Sequence, residues 1–247
     1  SYIDALIKEQ QFDNAKQALE EAKRQGISGE KLNALEARLT QINREESIDS
    51  LSPSQELLSN LFEHYQNGRF NDAEKLALSI TEQFSKHQFA WKVLGAIFGR
   101  TGRKVEAADA NQKAVALSPR DAAAHSNLGV ALKELGRLDE AEASYIQAIR
   151  LKPDYVEAHN NLGNTLKELG RLDEAEASYS RAIRLKPDYA EAHCSLGNML
   201  KELGRLDEAE ASYNQAIALK PDYTEAHCSL GNTLKELGRL DEAEASY

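Results

Sequence analysis

LKELGRLDEAEASY, at Leu132–Tyr145, returns unchanged at Leu166–Tyr179, Leu200–Tyr213 and Leu234–Tyr247, each copy starting 34 residues after the last. A period in the range of roughly 20 to 50 residues marks an array of stacked units, each touching only its neighbours. By length alone the 247 residues would suit one or two globular domains, and the repetition overrides that prior. The expected fold is an all-α, elongated α-solenoid.

Working outward, the phrase belongs to units that begin at Ala122, Val156, Ala190 and Thr224, and the same spacing reaches back to Gln88 and Ser54. With the first residue of a unit as position 1, position 8 is Gly95, Gly129, Gly163, Gly197 and Gly231. Position 20 is Ala107, Ala141, Ala175, Ala209 and Ala243, and position 27 is Ala114, Ala148, Ala182 and Ala216. Small residues at these places let two helices approach closely. In the regular copies leucines at positions 7, 11, 14, 17 and 30 and a tyrosine at position 24 fill the space around that contact. Gly136, Gly170, Gly204 and Gly238 end the first helix, and the Asp-Glu pair that follows suits the positive N-terminus of the second. Pro153, Pro187 and Pro221 stop the second helix, with basic residues just before them.

The N-terminal part is helical but out of phase. Phe12, Ala15, Leu19 and Ala22 mark one apolar face up to Gly26, and Leu32, Leu35, Leu39 and Ile42 mark another. The polar stretch Arg44–Ser50 is the expected internal boundary. Ser52-Pro53-Ser54-Gln55 then reads as a helix start, with Ser52 as N-cap, proline at the first helical position and Gln55 closing a capping box. The expected division is a helical extension or degenerate repeat over 1–50, a divergent repeat over 51–87, repeats over 88–121, 122–155, 156–189 and 190–223, and a truncated one over 224–247.

A formal charge of −10 argues against a nucleic-acid partner, and residues 122–247 hold most of it, with 14 Lys/Arg against 22 Asp/Glu. No apolar run approaches the 18 or so residues needed to cross a membrane, and no secretory signal opens the chain, so the expected location is cytoplasmic, without membrane insertion. Cys194 and Cys228 occupy one position in adjacent repeats, about a helix-packing distance of 10 Å apart, and a disulfide needs α-carbons within about 7 Å. They read as free thiols.

A 34-residue helix-turn-helix with Trp or His at position 4, Leu-Gly at 7 and 8, Ala at 20 and 27 and Pro at 32 resembles the tetratricopeptide repeat. In Val156–Tyr189 these are His159, Leu162-Gly163, Ala175, Ala182 and Pro187, with Tyr179 at position 24; in 88–121 Asn111 replaces that tyrosine. The resemblance implies a right-handed superhelix whose first helices line a concave groove. In wording, stretches such as Ala158–Gly170 are similar to the repeats placed before the catalytic domain of protein O-GlcNAc transferases and of similar bacterial transferases.

The regular copies differ mainly at positions 1, 5, 6, 9 and 10 of the first helix. Positions 2, 5, 6, 9, 12 and 13 share one face by helical spacing, and in the resembled family that face lines the groove. Variation on it over a fixed core is what a binding surface would show; drift at solvated positions would look the same. The candidate peptide-binding residues are Asn127, Asn160, Asn161, Asn164, Ser195, Asn198, Ser229 and Asn232, with Lys133, Lys167, Lys201 and Lys235 beside them. A primary amide both donates and accepts, so a ladder of them can pair with the backbone of an extended peptide whatever its side chains. The resemblance to O-GlcNAc transferases gives position 6 that role, which Asn127 and Asn161 match and Ser195 and Ser229 do not. The clamp that chaperone-binding members place on a terminal carboxylate fits poorly: Lys92 and Asn127 match its pattern, while Ala96, Glu157 and Asn161 depart from it.

His125, His159, His193 and His227 recur at position 4, but successive repeats stand too far apart for ligands that must lie within about 2.0–2.3 Å of one zinc. They are expected to fill the slot of Trp91, so neither metal nor cofactor is expected. The acids Asp173-Glu174 and their equivalents are explained by capping and dipole roles, and no phosphate loop or nucleophile constellation occurs. The expected function is a non-enzymatic scaffold for a protein or peptide segment, within a larger bacterial-type protein. Two alternatives stay open: a self-assembling array whose uncapped ends, with the last unit stopping at Tyr247, stack into a ring or filament, or the targeting region of a transferase with its catalytic domain elsewhere.

Overall fold

A computed structural model describes residues 3, 7, 12–26, 29–50 and 52–246, with the side chains of 12, 13 and 41–50 outside that description. Helices make up its regular structure, and no strand occurs among the described residues. The chain forms two compact units, Ser1–His87 and Gln88–Tyr247.

In the first unit, α1 (Phe12–Arg24) and α2 (Glu30–Ser50) pack Ala15, Leu19 and Leu39 around Ile3 and Ile7, with Leu32 and Leu35 at the margin. Gly26, at φ 75°, turns the chain after α1. Phe12 and Ile42, expected on the same faces, have side chains outside the described residues. The polar stretch Arg44–Ser50, expected as a boundary, is the continuation of α2, and the compact units divide between His87 and Gln88. A run of polar helix formers extends a helix as readily as it separates domains.

α3 (Gln55–Gln66) and α4 (Phe70–Gln83) form the next hairpin. The expected helix start is corrected by two residues. Ser54, not Ser52, is the N-cap, its Oγ accepting from the Leu57 N–H at 3.2 Å, and Pro53 precedes the helix. The cause is reach: Ser54 is the hydroxyl residue three before Leu57, where an N-cap oxygen meets the third helical N–H.

The second unit holds five hairpins: α5 (Gln88–Arg100) and α6 (Lys104–Leu117), α7 (Ala122–Glu134) and α8 (Leu138–Leu151), α9 (Val156–Glu168) and α10 (Leu172–Leu185), α11 (Ala190–Glu202) and α12 (Leu206–Leu219), α13 (Thr224–Glu236) and α14 (Leu240–Ala245). Each first helix ends in a left-handed glycine. At Gly136, φ 73°, the Arg137 N–H reaches back to the Leu132 carbonyl and the Gly136 N–H to that of Lys133, so the end of α7 is satisfied.

The hairpin core is the contact of position 8 with position 24. A β-carbon on Gly163 would lie 2.6 Å from Tyr179 Cε1, and one on Gly129 or Gly197 would meet Tyr145 or Tyr213 as closely. Only glycine leaves room for the ring. Tyr145, Tyr179 and Tyr213 are fully buried, as are the alanines at positions 20 and 27 from Ala141 to Ala216.

First helices of successive repeats (α5, α7, α9, α11, α13) also touch one another, while second helices mainly touch the first helices on either side. The first helices therefore form the inner side of this unit. On the second-helix side the invariant phrase supplies an ion-pair ladder. Arg171 grips Glu174 through Nε and Nη2 at 2.7 and 2.6 Å and reaches Glu142 of the preceding repeat at 2.7 Å. Arg205 with Glu208 and Glu176, and Arg239 with Glu242 and Glu210, repeat the pattern. The Asp-Glu pairs lie in the first turn of each second helix, as the expected dipole role requires, but the capping role is corrected: the N-cap is an arginine without a side-chain cap, and the glutamate pairs with that arginine. Hydrogen bonds from the arginines lower the pKa of Glu140, Glu174, Glu208 and Glu242.

Candidate functional site

The inner face is assembled from positions 6, 9, 12 and 13 of the first helices. Asn127, Asn161, Asn164, Ser195, Asn198 and Ser229 are half-buried on it, and Asn232 is exposed. At position 9 the amide is anchored from below. The buried Tyr179 hydroxyl donates to Asn164 Oδ1 at 2.8 Å, and that of Tyr213 to Asn198 Oδ1 at 2.9 Å. The amide oxygen is therefore used, which leaves the Nδ2 end as donor; Asn198 Nδ2 donates to Glu225 Oε1 at 3.4 Å. Val130 stands at the equivalent place in the repeat of Tyr145, whose buried hydroxyl has no partner.

The lysines at position 12 are committed. Lys133, Lys167 and Lys201 form ion pairs with Glu168, Glu202 and Glu236, each one repeat further on, at 2.6, 2.9 and 3.0 Å. The lysines are thus neutralised, and with Glu157, Glu191 and Glu225 at position 2 the face is polar and not basic. A 450 Å³ depression brings together the expected residues Lys167, Asn198, Lys201, Ser229 and Asn232, with Glu202 and Glu236 as lysine partners. Those glutamates were not among the expected residues, although position 13 was visible on the same face.

Position 5 is a correction. Asn160, expected in the groove, is 5% exposed and turned into the protein, like Ser126 and Cys194. Asn160 Oδ1 has no hydrogen-bond partner. In the repeat where position 34 is Asp121, position 5 is Lys92, which pairs with it at 2.9 Å. Lys92 is accordingly engaged and does not offer the clamp to a carboxylate. Burial acts to raise the Asp121 pKa, but hydrogen bonds from Lys92, Gln88 and the Ala124 N–H outweigh it and hold it at about 2.

The histidines are structural. Nε2 of His125, His159, His193 and His227 donates to the carbonyl of Pro119, Pro153, Pro187 and Pro221 at 2.9–3.0 Å, tying each first helix to the turn before it. Both cysteines are free thiols, Cys194 buried and Cys228 exposed, and burial pushes the Cys194 thiol up to about 11.

A second hollow of about 330 Å³ opens on the same face between α5 and α7, at Asn111. Asn127, expected as a ligand residue, lines it and gives its backbone carbonyl to Asn111 Nδ2 at 3.4 Å.

Stacked helical hairpins with an inner groove of side-chain amides define an α-solenoid repeat protein. One family model described as "TPR repeat" matches residues 131–170, 163–204 and 197–238, and two described as tetratricopeptide repeats match 110–143 and 63–122. The chain belongs to the tetratricopeptide repeat family. No curated protein sequence matches it. Among solved structures, the chain is similar to PilW, a widely conserved type IV pilus biogenesis factor, at 20% identity and TM-score 0.73 over 78% of this chain and 91% of that one. A thermophilic TPR protein of Thermus thermophilus shares 26% identity at TM-score 0.63, covering 73% of this chain and 98% of that one. YrrB, a TPR protein with an unusual peptide-binding site, shares 20% at TM-score 0.57, covering 76% and 94%. These likenesses establish the fold. No helix among the described residues is long and apolar enough to cross a membrane.

Proposed function

We propose that the protein is a non-catalytic interaction module whose inner first-helix face holds an extended protein segment. The observation that carries this is the treatment of Asn164 and Asn198: a buried tyrosine hydroxyl takes each amide oxygen, so the amide presents its N–H end as donor, which in Asn198 is within 3.4 Å of Glu225. An amide fixed in that way is oriented before any partner arrives, which lowers the entropic cost of binding. Because Lys133, Lys167 and Lys201 already have carboxylate partners, the groove reads backbone more than charge, and binding should depend weakly on salt.

A peptide array probed with the whole chain tests the reading. Segments that bind should do so about five- to tenfold more weakly to Asn161→Ala, Asn164→Ala or Asn198→Ala, the loss of roughly one hydrogen bond each. An array with no binder, or binders indifferent to all three changes, would defeat it. A mass that rises with concentration in light scattering would point instead to end-to-end self-assembly.

A further inference from the structure

The hollow at Asn111 exists because three side chains are short in the same repeat. Position 24 is Asn111 where the next repeats have Tyr145, Tyr179 and Tyr213; position 9 is Ala96 where two of them have Asn164 and Asn198; position 12 is Gly99 where all have lysine. All three short residues line the hollow, together with Gly95, Val130 and Ala131. A β-carbon on Gly99 would meet nothing within 4 Å, so the space there is open. Asn111 reaches the close contact with Gly95 that the tyrosine rings make elsewhere, and then ends half a ring short.

A second observation sets the chemistry. Asn111, on the wall of this hollow, is 3% exposed, and its Oδ1, held against Gly95, has no hydrogen-bond partner. The Nδ2 end is fixed by its bond to the Asn127 carbonyl, so the unpartnered atom is an acceptor. Leaving it bare is costly, so an occupant that donates a hydrogen bond is favoured. The walls are otherwise small and apolar, and the mouth carries Arg100 and Glu134, whose opposite charges favour a neutral occupant over an ion. The protein shows the matching contact twice, in the phenol hydroxyls of Tyr179 and Tyr213 donating to an asparagine Oδ1. At Asn111 the asparagine oxygen is present and the phenol is not.

We propose that this hollow is a specificity pocket for a tyrosine side chain of the bound segment, whose ring lies on Ala96, Gly99, Val130 and Ala131 and whose hydroxyl donates to Asn111 Oδ1. The proposal rests on the groove reading above and adds to it the residue that sets register.

The test is a titration of the ¹⁵N-labelled whole chain with N-acetyltyrosinamide, which probes the pocket without a segment. Saturable shifts are expected at the Gly95, Gly99 and Asn111 amides with a dissociation constant on the order of a millimolar. N-acetylphenylalaninamide, lacking the donor, should bind about fivefold more weakly. Asn111→Tyr should abolish the shifts by filling the pocket, and Gly99→Leu should do the same from the other wall, so the result stands if either variant fails to fold. Absence of saturable shifts, equal binding of the phenylalanine or a lysine analogue, or shifts that survive in a folded filling variant would overturn the proposal. Asn164→Ala should leave tyrosinamide binding intact. If segment binding that depends on Asn164 persists while tyrosinamide fails, the pocket alone is refuted; if tyrosinamide binds and no segment does, the groove reading falls.

Discussion

The hairpin over 88–121 and the hairpin over 156–189 share backbone design and differ in how they fill it. In the second, Tyr179 packs against Gly163 and its hydroxyl donates to Asn164, so the contact between positions 8 and 24 is filled and the tyrosine oxygen is paired. In the first, Asn111 packs against Gly95 with its oxygen bare and a hollow beside it. A repeat array tolerates this because neighbouring interfaces add to stability separately, so a gap in one does not propagate. Where the array is least well packed, it has room for something else.

The comparison breaks most sharply if the two sites are exchanged. Tyr179→Asn should carry the hollow into a closed hairpin and cost about 3 kcal/mol in urea denaturation, the scale of a large-to-small core change. Asn111→Tyr should do the reverse and stabilise by about 1 kcal/mol, since it removes a bare acceptor and buries a ring. Tyr145, whose buried hydroxyl also lacks a partner, shows that the missing acceptor at position 9 is tolerated. A smaller asymmetry concerns glycine. Gly163→Ala drives a β-carbon into an enclosed ring and should cost about 2 kcal/mol, whereas Gly95→Ala meets only the Asn111 amide, which has open space to move into, and should cost under about 1 kcal/mol. Equal losses would mean the two contacts are alike.

Asp121 closes the 88–121 unit and gives it a pH signature. Its pKa is lowered to about 2 in the folded chain from an ordinary 3.8, so its contribution is present above the ordinary value and is lost as pH falls from about 5 towards 2. The side chain is part-exposed, and roughly 1–2 kcal/mol is expected. Asp121→Asn should remove that much at pH 7 and flatten the acid limb of a stability profile.

Much of this was legible because the repeat let the chain be compared with itself. The glycine turns, the tyrosine–glycine core and the histidine slot follow from residues that recur at fixed positions. Two things were misread, and for one reason. Position 5 shares a helix face with positions 6 and 9 by spacing, yet Ser126, Asn160 and Cys194 are covered, which helical periodicity does not reveal. The lysines at position 12 looked available to a ligand, but their partners at position 13 stand one repeat further on. Asn111 was visible as a departure, but not the hollow that goes with it.

By itself the sequence determined the period, the hairpin and its core, since those depend on local propensity and on small residues where helices must meet. Only the tertiary structure decided which polar groups are spent inside the array and which face a partner. That depends on distances between repeats, and a hydrogen bond or ion pair forms or fails over about an ångström.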